Sequence, residues 1–483
     1  MSSLSDSSIL AGGSGGTGVS VYSIDQSIRF NDDDTAYMSK TISSTSSRTT
    51  WTFSTWFKLG NAGITVSYSG LFNSVWNSSN YVNIGISNSS GYGIDFLLYN
   101  SNSTLGRLYT TRSFRDPSAW YHLVAVLDTT NDISGERMRL YINGQRETIF
   151  TNETYPSKDA TPLVNYATAV HSLGRVYNAG TYSGYYYDGY MAETHFLDGY
   201  AYGPEYFGVS NSSGIWIPIE YTGSYGTNGF KIDGSDSSDL GTDAAGSNDY
   251  TASGFETNDQ VVDSPTNNFA VMNPVDADGL AANELSGGNL QVKNINRIKA
   301  SIPFPTSGQW YWEICTVSKS GQVNWNYGMV YFKDHSNFIT TNTDFLRLNW
   351  YHGSNFSSSS NWTDGDFWTN SNNPSAGSVY GFAWDAGTRK VYLAKDGTYF
   401  GSADPANGTG TAWGSGGTAG VEYGIAMYST QSFIHTINFG QDDSFNGAKT
   451  SGSAGAADDN GNGKFYYAPP TGFLALCTKN LGS

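Results

Sequence analysis

Cleaving a glycosidic bond takes two carboxylates on one cleft, so the acids on strand-like runs are the first residues to weigh. Glu193 stands alone on an apolar run with Asp198 in the turn after it, a spacing that fits a capping or hairpin role better than an acid–base pair. Asn31-Asp32-Asp33-Asp34 is the densest acidic loop. Its carboxylates could hold Ca2+, but three consecutive aspartates do not alternate as calcium loops do, and a solvated turn is the competing reading. The histidines His122, His171, His195, His335, His352 and His435 form no close pair and have no Cys partner at zinc spacing. His122 and His195 fall on strand-like runs and read as core or rim residues. One Gly-x-Ser-x-Gly match surrounds Ser14, in a low-complexity stretch with no strand before it or helix after it, and no phosphate-binding loop ending in Lys-Ser or Lys-Thr occurs. No catalytic residue is assigned, and the chain is expected not to be an enzyme.

What remains is aromatic surface. Tyr182, Tyr185, Tyr186, Tyr187 and Tyr190 crowd a Gly-rich loop, more rings than one core can use. Sugars stack their apolar C–H faces on such rings, and subunit interfaces favour tyrosine equally, so both readings stand. Trp350, Tyr351, His352, Trp362 and Trp368 form a second cluster among Asn, Ser and Asp, which reads as a long loop that either recognises a partner or covers a sheet edge.

These side chains need a scaffold, and composition says which kind. Of 483 residues 57 are glycine, 15% are aromatic and only 14% are charged, a β-rich balance in a chain long enough for at least two cores. Lys plus Arg number 25 against 42 Asp plus Glu, a formal charge of -17 that argues against nucleic acid as a partner. Cys315 and Cys477 alone give no disulfide framework and read as buried small hydrophobes. The first 20 residues show no basic segment followed by an apolar one, so neither secretion by that route nor a membrane span is expected.

Residues 1–21 read as an arm, flexible or docking, with Ile9 and Leu10 as its apolar docking pair. From residue 22 short alternating runs begin. In 51–57, Trp51, Phe53, Thr55 and Phe57 share one face, and Thr52, Ser54 and Trp56 the other. The run 120–128 and its neighbour 138–142 end in Asn143-Gly144, the strongest hairpin signal in the chain. Residues 213–284 read as a Gly/Ser/Asp-rich connector pinned in places. Strand candidates then resume at 310–315, 327–332, 379–385, 390–394, 423–428 and 435–440.

The segments Trp120-Tyr121-His122, Tyr141-Ile142-Asn143-Gly144 and Gly189 to Glu193 resemble, in that order, the laminin-G/pentraxin type of concanavalin A-like domain over residues 22–212. The Glu-x-Asp-x-x-Glu run of laminarinase-like members is missing. Residues 285–483 resemble an SPRY-type sandwich through Trp310-Tyr311-Trp312-Glu313, Gly381-Phe382-Ala383-Trp384-Asp385, Ile437-Asn438-Phe439-Gly440 and Pro470-Thr471-Gly472-Phe473. In this order, behind a Ser/Gly arm, the two resemble virion proteins of marine tailed bacteriophages, tail-fibre or capsid-associated appendages. The resemblance implies an all-β chain of two concanavalin A-like/jelly-roll antiparallel β-sandwiches. It also implies a homo-oligomer carried on a virion after synthesis in the host cytoplasm, binding host-surface polysaccharide or neighbouring virion proteins. The alternatives are a purely architectural capsid or tail component and a glycan depolymerase. No cofactor is expected beyond Ca2+ at Asp32, Asp33 and Asp34.

Overall fold

In the computed structural model the chain divides into two compact units that meet in sequence between Thr266 and Asn267. The structure describes residues 22–60, 68–88, 91–177, 180–182, 185–278, 284–294, 297–319, 375–410, 412, 423–429, 433–451 and 456–482, and the backbone of 325–331 and 346–350. For 278, 297, 319, 426, 428 and 429 it is again the backbone alone that is described.

The N-terminal unit is a sandwich of two antiparallel sheets, each of eight strands among the described residues. Thr50–Leu59 lies in the middle of the first sheet, between Trp120–Asp128 and Gly189–Asp198. Alternation along it works as the pattern requires: Trp51, Phe53 and Phe57 are buried in the inter-sheet core, and Ser54, Trp56 and Lys58 lie on the outer face. In the core, Phe53 stacks on Phe72 of the second sheet at 5.1 Å, and Phe72 on Phe196 at 5.4 Å. Asn143 and Gly144 both take positive φ, +48° and +75°, as a tight two-residue hairpin turn demands, and join Met138–Ile142 to Gln145–Arg146.

The second sheet runs in the order Phe150–Thr154, Ser103–Thr110, Gly93–Asn100, Asn80–Ser87, Tyr68–Asn77, Val170–Leu173, Tyr37–Thr41, Thr251–Ser253. Its inner face supplies Phe72, Ile84 and Phe96 to the core. Cross-strand register fixes the outer face, because Asn73 pairs with Asn83, Tyr81 with Tyr99 and Asn83 with Leu97.

The connector expected over 213–284 is corrected by the structure. Phe230–Ile232 pairs with Gly189–Asp198, Thr251–Ser253 with Tyr37–Thr41, and Gln260–Val261 with Ser27–Phe30, so residues up to 266 complete the first unit. Six buried apolar side chains, Tyr221, Phe230, Ile232, Leu240, Tyr250 and Val261, anchor this stretch. Its aspartates serve the backbone: Asp243 accepts from the N–H groups of Lys231, Ala245 and Asn248. A composition poor in apolar residues here marks closed turns rather than a linker.

The C-terminal unit also has two principal sheets. One orders Met272–Asp278, Arg297–Ala300, Tyr423–Ser429, Trp325–Tyr331, Leu346–Trp350; the other centres on Gln309–Lys319 between Phe433–Asn438 and Val379–Asp385. Trp312 stacks on Phe382 at 5.0 Å and 7° in its core. Glu313, on the opposite face of the same strand, is fully buried and accepts from the N–H groups of Tyr466 and Tyr467, the Tyr311 hydroxyl and the Asn438 amide, tying the closing segment to the sheet. Cys315 and Cys477 are both buried and free.

Candidate functional site

The acid–base candidates lie on the outer face of the first sheet. The strand Gly189–Asp198 carries a bulge between Ala192 and His195, where Glu193 adopts φ +48°. A bulge re-aims a side chain, and here the Glu193 carboxylate meets Lys231 Nζ at 3.0 Å, the Tyr22 hydroxyl at 2.7 Å and His195 Nε2 at 3.2 Å. Burial alone would push Glu193 up. The His195 hydrogen bond and the charges of His195 and Lys231 outweigh it and hold the carboxyl at about 2, which leaves it no proton to give a leaving group. Asp198 is occupied elsewhere: it accepts from Ser47 N, Asn165 Nδ2 and Asn228 N and so clamps three loops.

A Ser–His contact lies beside Glu193, with Ser54 Oγ 2.9 Å from His122 Nε2. Trp216 Nε1 donates to His122 Nδ1 at 3.0 Å, so the neutral ring carries its proton on Nε2 and donates to Ser54. A base poised for a nucleophile needs the reverse tautomer. Burial and the charge of His195 push His122 down to about 3, which fixes it neutral. The crevice these groups line, closed by Trp56, Phe207 and Pro218, is too narrow to admit a water molecule. This network is a packed polar layer.

The outer face of the second sheet is different. A continuous run of rings crosses it: Tyr99 stacks on Tyr81 at 4.8 Å, Tyr81 meets Tyr177 at 5.8 Å, and Tyr177 meets Tyr182 at 5.1 Å. The Arg175 guanidinium lies 4.0 Å from the centre of the Tyr182 ring and 3.5 Å from that of Tyr37, and Tyr37 is 6.3 Å from Tyr186. Tyr37, Tyr99, Tyr177, Tyr182, Tyr185 and Tyr186 are each half-buried, so they keep exposed ring surface. Polar groups are interleaved. Asn73 donates to Asn83 at 2.6 Å, Asn83 donates to the Tyr177 carbonyl at 2.7 Å, and Arg107 grips Asp95 with two bonds of 2.8 Å. The loop bearing Arg175 to Tyr186 lies on this face because Val176 N bonds Tyr185 O, Tyr187 N bonds Gly174 O, and Gly70 beneath has no Cβ. A Cβ there would stand 2.2 Å from the Arg175 carbonyl carbon.

The tyrosine cluster expected from sequence therefore divides. Tyr182, Tyr185 and Tyr186 belong to this face. Tyr187 and Tyr190 do not, and their assignment to a recognition surface is corrected: both are fully buried. Tyr187 turns into the core and donates to the Lys58 carbonyl, and Tyr190 lies on the first sheet near Trp120 and Lys58. Alternation at the start of the strand forces the change of side. Sequence reading missed Tyr37, Tyr81, Tyr99, Tyr177 and Arg175. The signal for the strand members was there, as polar and aromatic residues at period two in 80–87 and 93–100.

Asp32, Asp33 and Asp34 occupy a turn closed by Thr35 N on the Asp32 carbonyl, and Asp34 accepts from the Asn31 amide at 2.5 Å. Among the described residues no three His, Cys, Asp or Glu side chains converge as a metal ion would require. Trp350 ends the strand Leu346–Trp350, with Trp325 opposite, which corrects its placement in a loop. Tyr351, Trp362, Trp368, Ile9 and Leu10 lie outside the described residues.

Residues 29–201 match the model of the concanavalin A-like lectin/glucanases superfamily, Laminin_G_3. No curated protein matches the chain. Solved structures similar to it include the heptameric SAP-like pentraxin of Limulus polyphemus, at 14% identity over 37% of this chain and 78% of that one with TM-score 0.27. The SPRY domain of human HERC1 is similar at 16% identity over 34% and 96%, TM-score 0.25. Ruminococcus gnavus IT-sialidase CBM40 is similar at 16% over 30% and 74%, TM-score 0.22. The chain is all-β, and its N-terminal unit has a concanavalin A-like lectin fold.

Proposed function

We propose that this chain is a non-catalytic glycan-binding protein whose N-terminal unit holds saccharide on the outer face of its second sheet. The observation that carries the reading is the run of rings from the half-buried Tyr99 over the buried Tyr81 to the half-buried Tyr177 and Tyr182, joined through Arg175 to Tyr37 and Tyr186, with the part-exposed Arg107 on the same face. Rings offer apolar stacking surface to the C–H faces of a sugar, and amides and guanidinium groups offer directional bonds to its hydroxyls. The depolymerase alternative is disfavoured by the chemistry of Glu193, held ionised by Lys231 and His195 in a crevice that admits no water.

The setting we propose is the exposed part of a tailed-phage particle, and its support is the order of the two sequence resemblances behind a Ser/Gly arm. Many copies on one particle multiply weak single-site binding, which suits a shallow platform. The test is binding of the purified chain to immobilised bacterial surface polysaccharides, with Tyr99→Ala and Tyr182→Ala as variants. Saturable binding weakened roughly tenfold by either change, about 1.4 kcal/mol, is the expected result. Binding that both variants retain in full would move the site elsewhere, and no saturable binding would leave the architectural reading.

A further inference from the structure

Arg175 is a cation that this unit has buried without an acid to balance it. Only 9% of the residue is exposed. Its Nε donates to Ser172 Oγ at 3.2 Å, and the rings of Tyr37 and Tyr182 lie against the guanidinium at 3.5 and 4.0 Å. Among the described residues no carboxylate pairs with it, and the loop positions outside the description, Asn178, Ala179, Ser183 and Gly184, carry no acid. The two other buried cations among the described residues of the unit are each paired with an acid: Arg29 with Asp259 and Lys58 with Asp263.

Two tyrosine faces give a guanidinium part of what water would, each on the order of 1 kcal/mol. Beyond the Nε bond to Ser172, a guanidinium has further N–H donors in a planar fork matched to two oxygens of a carboxylate or sulfate. The clamp also sits in the middle of the ring run, between Tyr177 and Tyr186. We propose that Arg175 is the anion-recognition point of the tyrosine face and that the chain selects acidic saccharides, those bearing a uronate carboxylate or a sulfate ester. This deepens, and rests on, the glycan-binding reading above.

Net charge makes the proposal easy to overturn. At -17 the whole chain repels polyanions, so non-specific attraction cannot imitate selection for them. The full chain is titrated with two ligand pairs, polygalacturonate against its carboxyl-reduced form, and dextran sulfate against dextran. We expect the charged member of one pair to bind about 10- to 100-fold tighter than its neutral partner, the range of one charge-assisted hydrogen-bonded contact. Which pair shows the preference names the anion. Arg175→Gln should abolish the preference. Equal binding of charged and neutral members, or a preference that survives Arg175→Gln, overturns the role of Arg175 and leaves glycan binding standing. Failure of all four polymers to bind overturns both. The wild-type comparison needs no variant, so a loop disturbed by the substitution does not blunt the test.

Discussion

Replacing Asp263 by Asn should destabilise the N-terminal unit by about 3–5 kcal/mol, even though sequence places Asp263 in a connector. The Lys58 ammonium and the Asp263 carboxylate are 2.7 Å apart with neither side chain exposed. Asp263 Oδ1 also accepts from Trp120 Nε1 at 3.1 Å, and its carbonyl accepts from Ser27 Oγ at 2.6 Å. Asn keeps an oxygen for Trp120 but turns an N–H2 toward an ammonium that is still buried. Burial already pulls the Lys58 pKa down on balance, and the charge of Asp263 is the main influence opposing that fall. A unit of roughly 250 residues loses about 2–4 °C per kcal/mol, so calorimetry should show its transition fall by about 6–20 °C. The transition of the C-terminal unit should not move. The double variant Lys58→Met/Asp263→Leu should recover most of the loss, because an apolar pair has no charge to strand. A single variant within about 1 kcal/mol of wild type, or a double variant as damaged as the sum of its parts, would refute the claim that residues 213–266 are structural.

The other expectations concern pH and the tyrosine face. Burial holds His122 and His171 at about 3, well below the ordinary histidine value. The stability this represents is whole above about 6.5 and drains away as pH falls toward 3, on the order of a few kcal/mol, while Glu193, held at about 2, adds a loss below about 4.5. Urea unfolding of the N-terminal unit at pH 7, 5 and 4 checks this, and stability that rises toward acid contradicts it. Glu313 works in the opposite sense: burial raises it to about 7, so its contribution is present below about 4.5 and is lost as pH climbs through 7. Glu313→Gln should flatten that slope in the C-terminal unit. Gly70→Ala should push the Arg175 loop off the sheet, since its Cβ would lie 2.4 Å from Val176 N; glycan binding should drop at least about tenfold, with far-ultraviolet circular dichroism unchanged. Chelation by EDTA should leave binding unaltered, as the Asp32–Asp34 turn is closed on its own backbone.

Much of the scaffold was legible. Alternation in 51–57 assigned Trp51, Phe53 and Phe57 to the core because a strand turns successive side chains to opposite faces whatever surrounds it. Asn143-Gly144 marked its hairpin because those two residues tolerate the positive φ the turn needs. The lack of a Glu-x-Asp-x-x-Glu run was equally a property of the chain, whereas Asp233, which shares Lys231 with Glu193, is brought there only by the fold. The connector was not legible, since backbone pairing of 230–232, 251–253 and 260–261 needs few apolar side chains and leaves little pattern.

By itself, then, the sequence determined the fold class, the strand faces and a surplus of tyrosine, all of which follow from local geometry and composition. Only the tertiary structure decided which tyrosines share a surface. Tyr81 and Tyr99 meet through strand register, Tyr37 arrives from another strand, and Tyr182 arrives from a loop on the far side of the sequence. Tyr187 and Tyr190, only a few residues along, are carried into the core and onto the opposite sheet. Neighbourhood across a sheet is set by long-range pairing, and no local pattern encodes it.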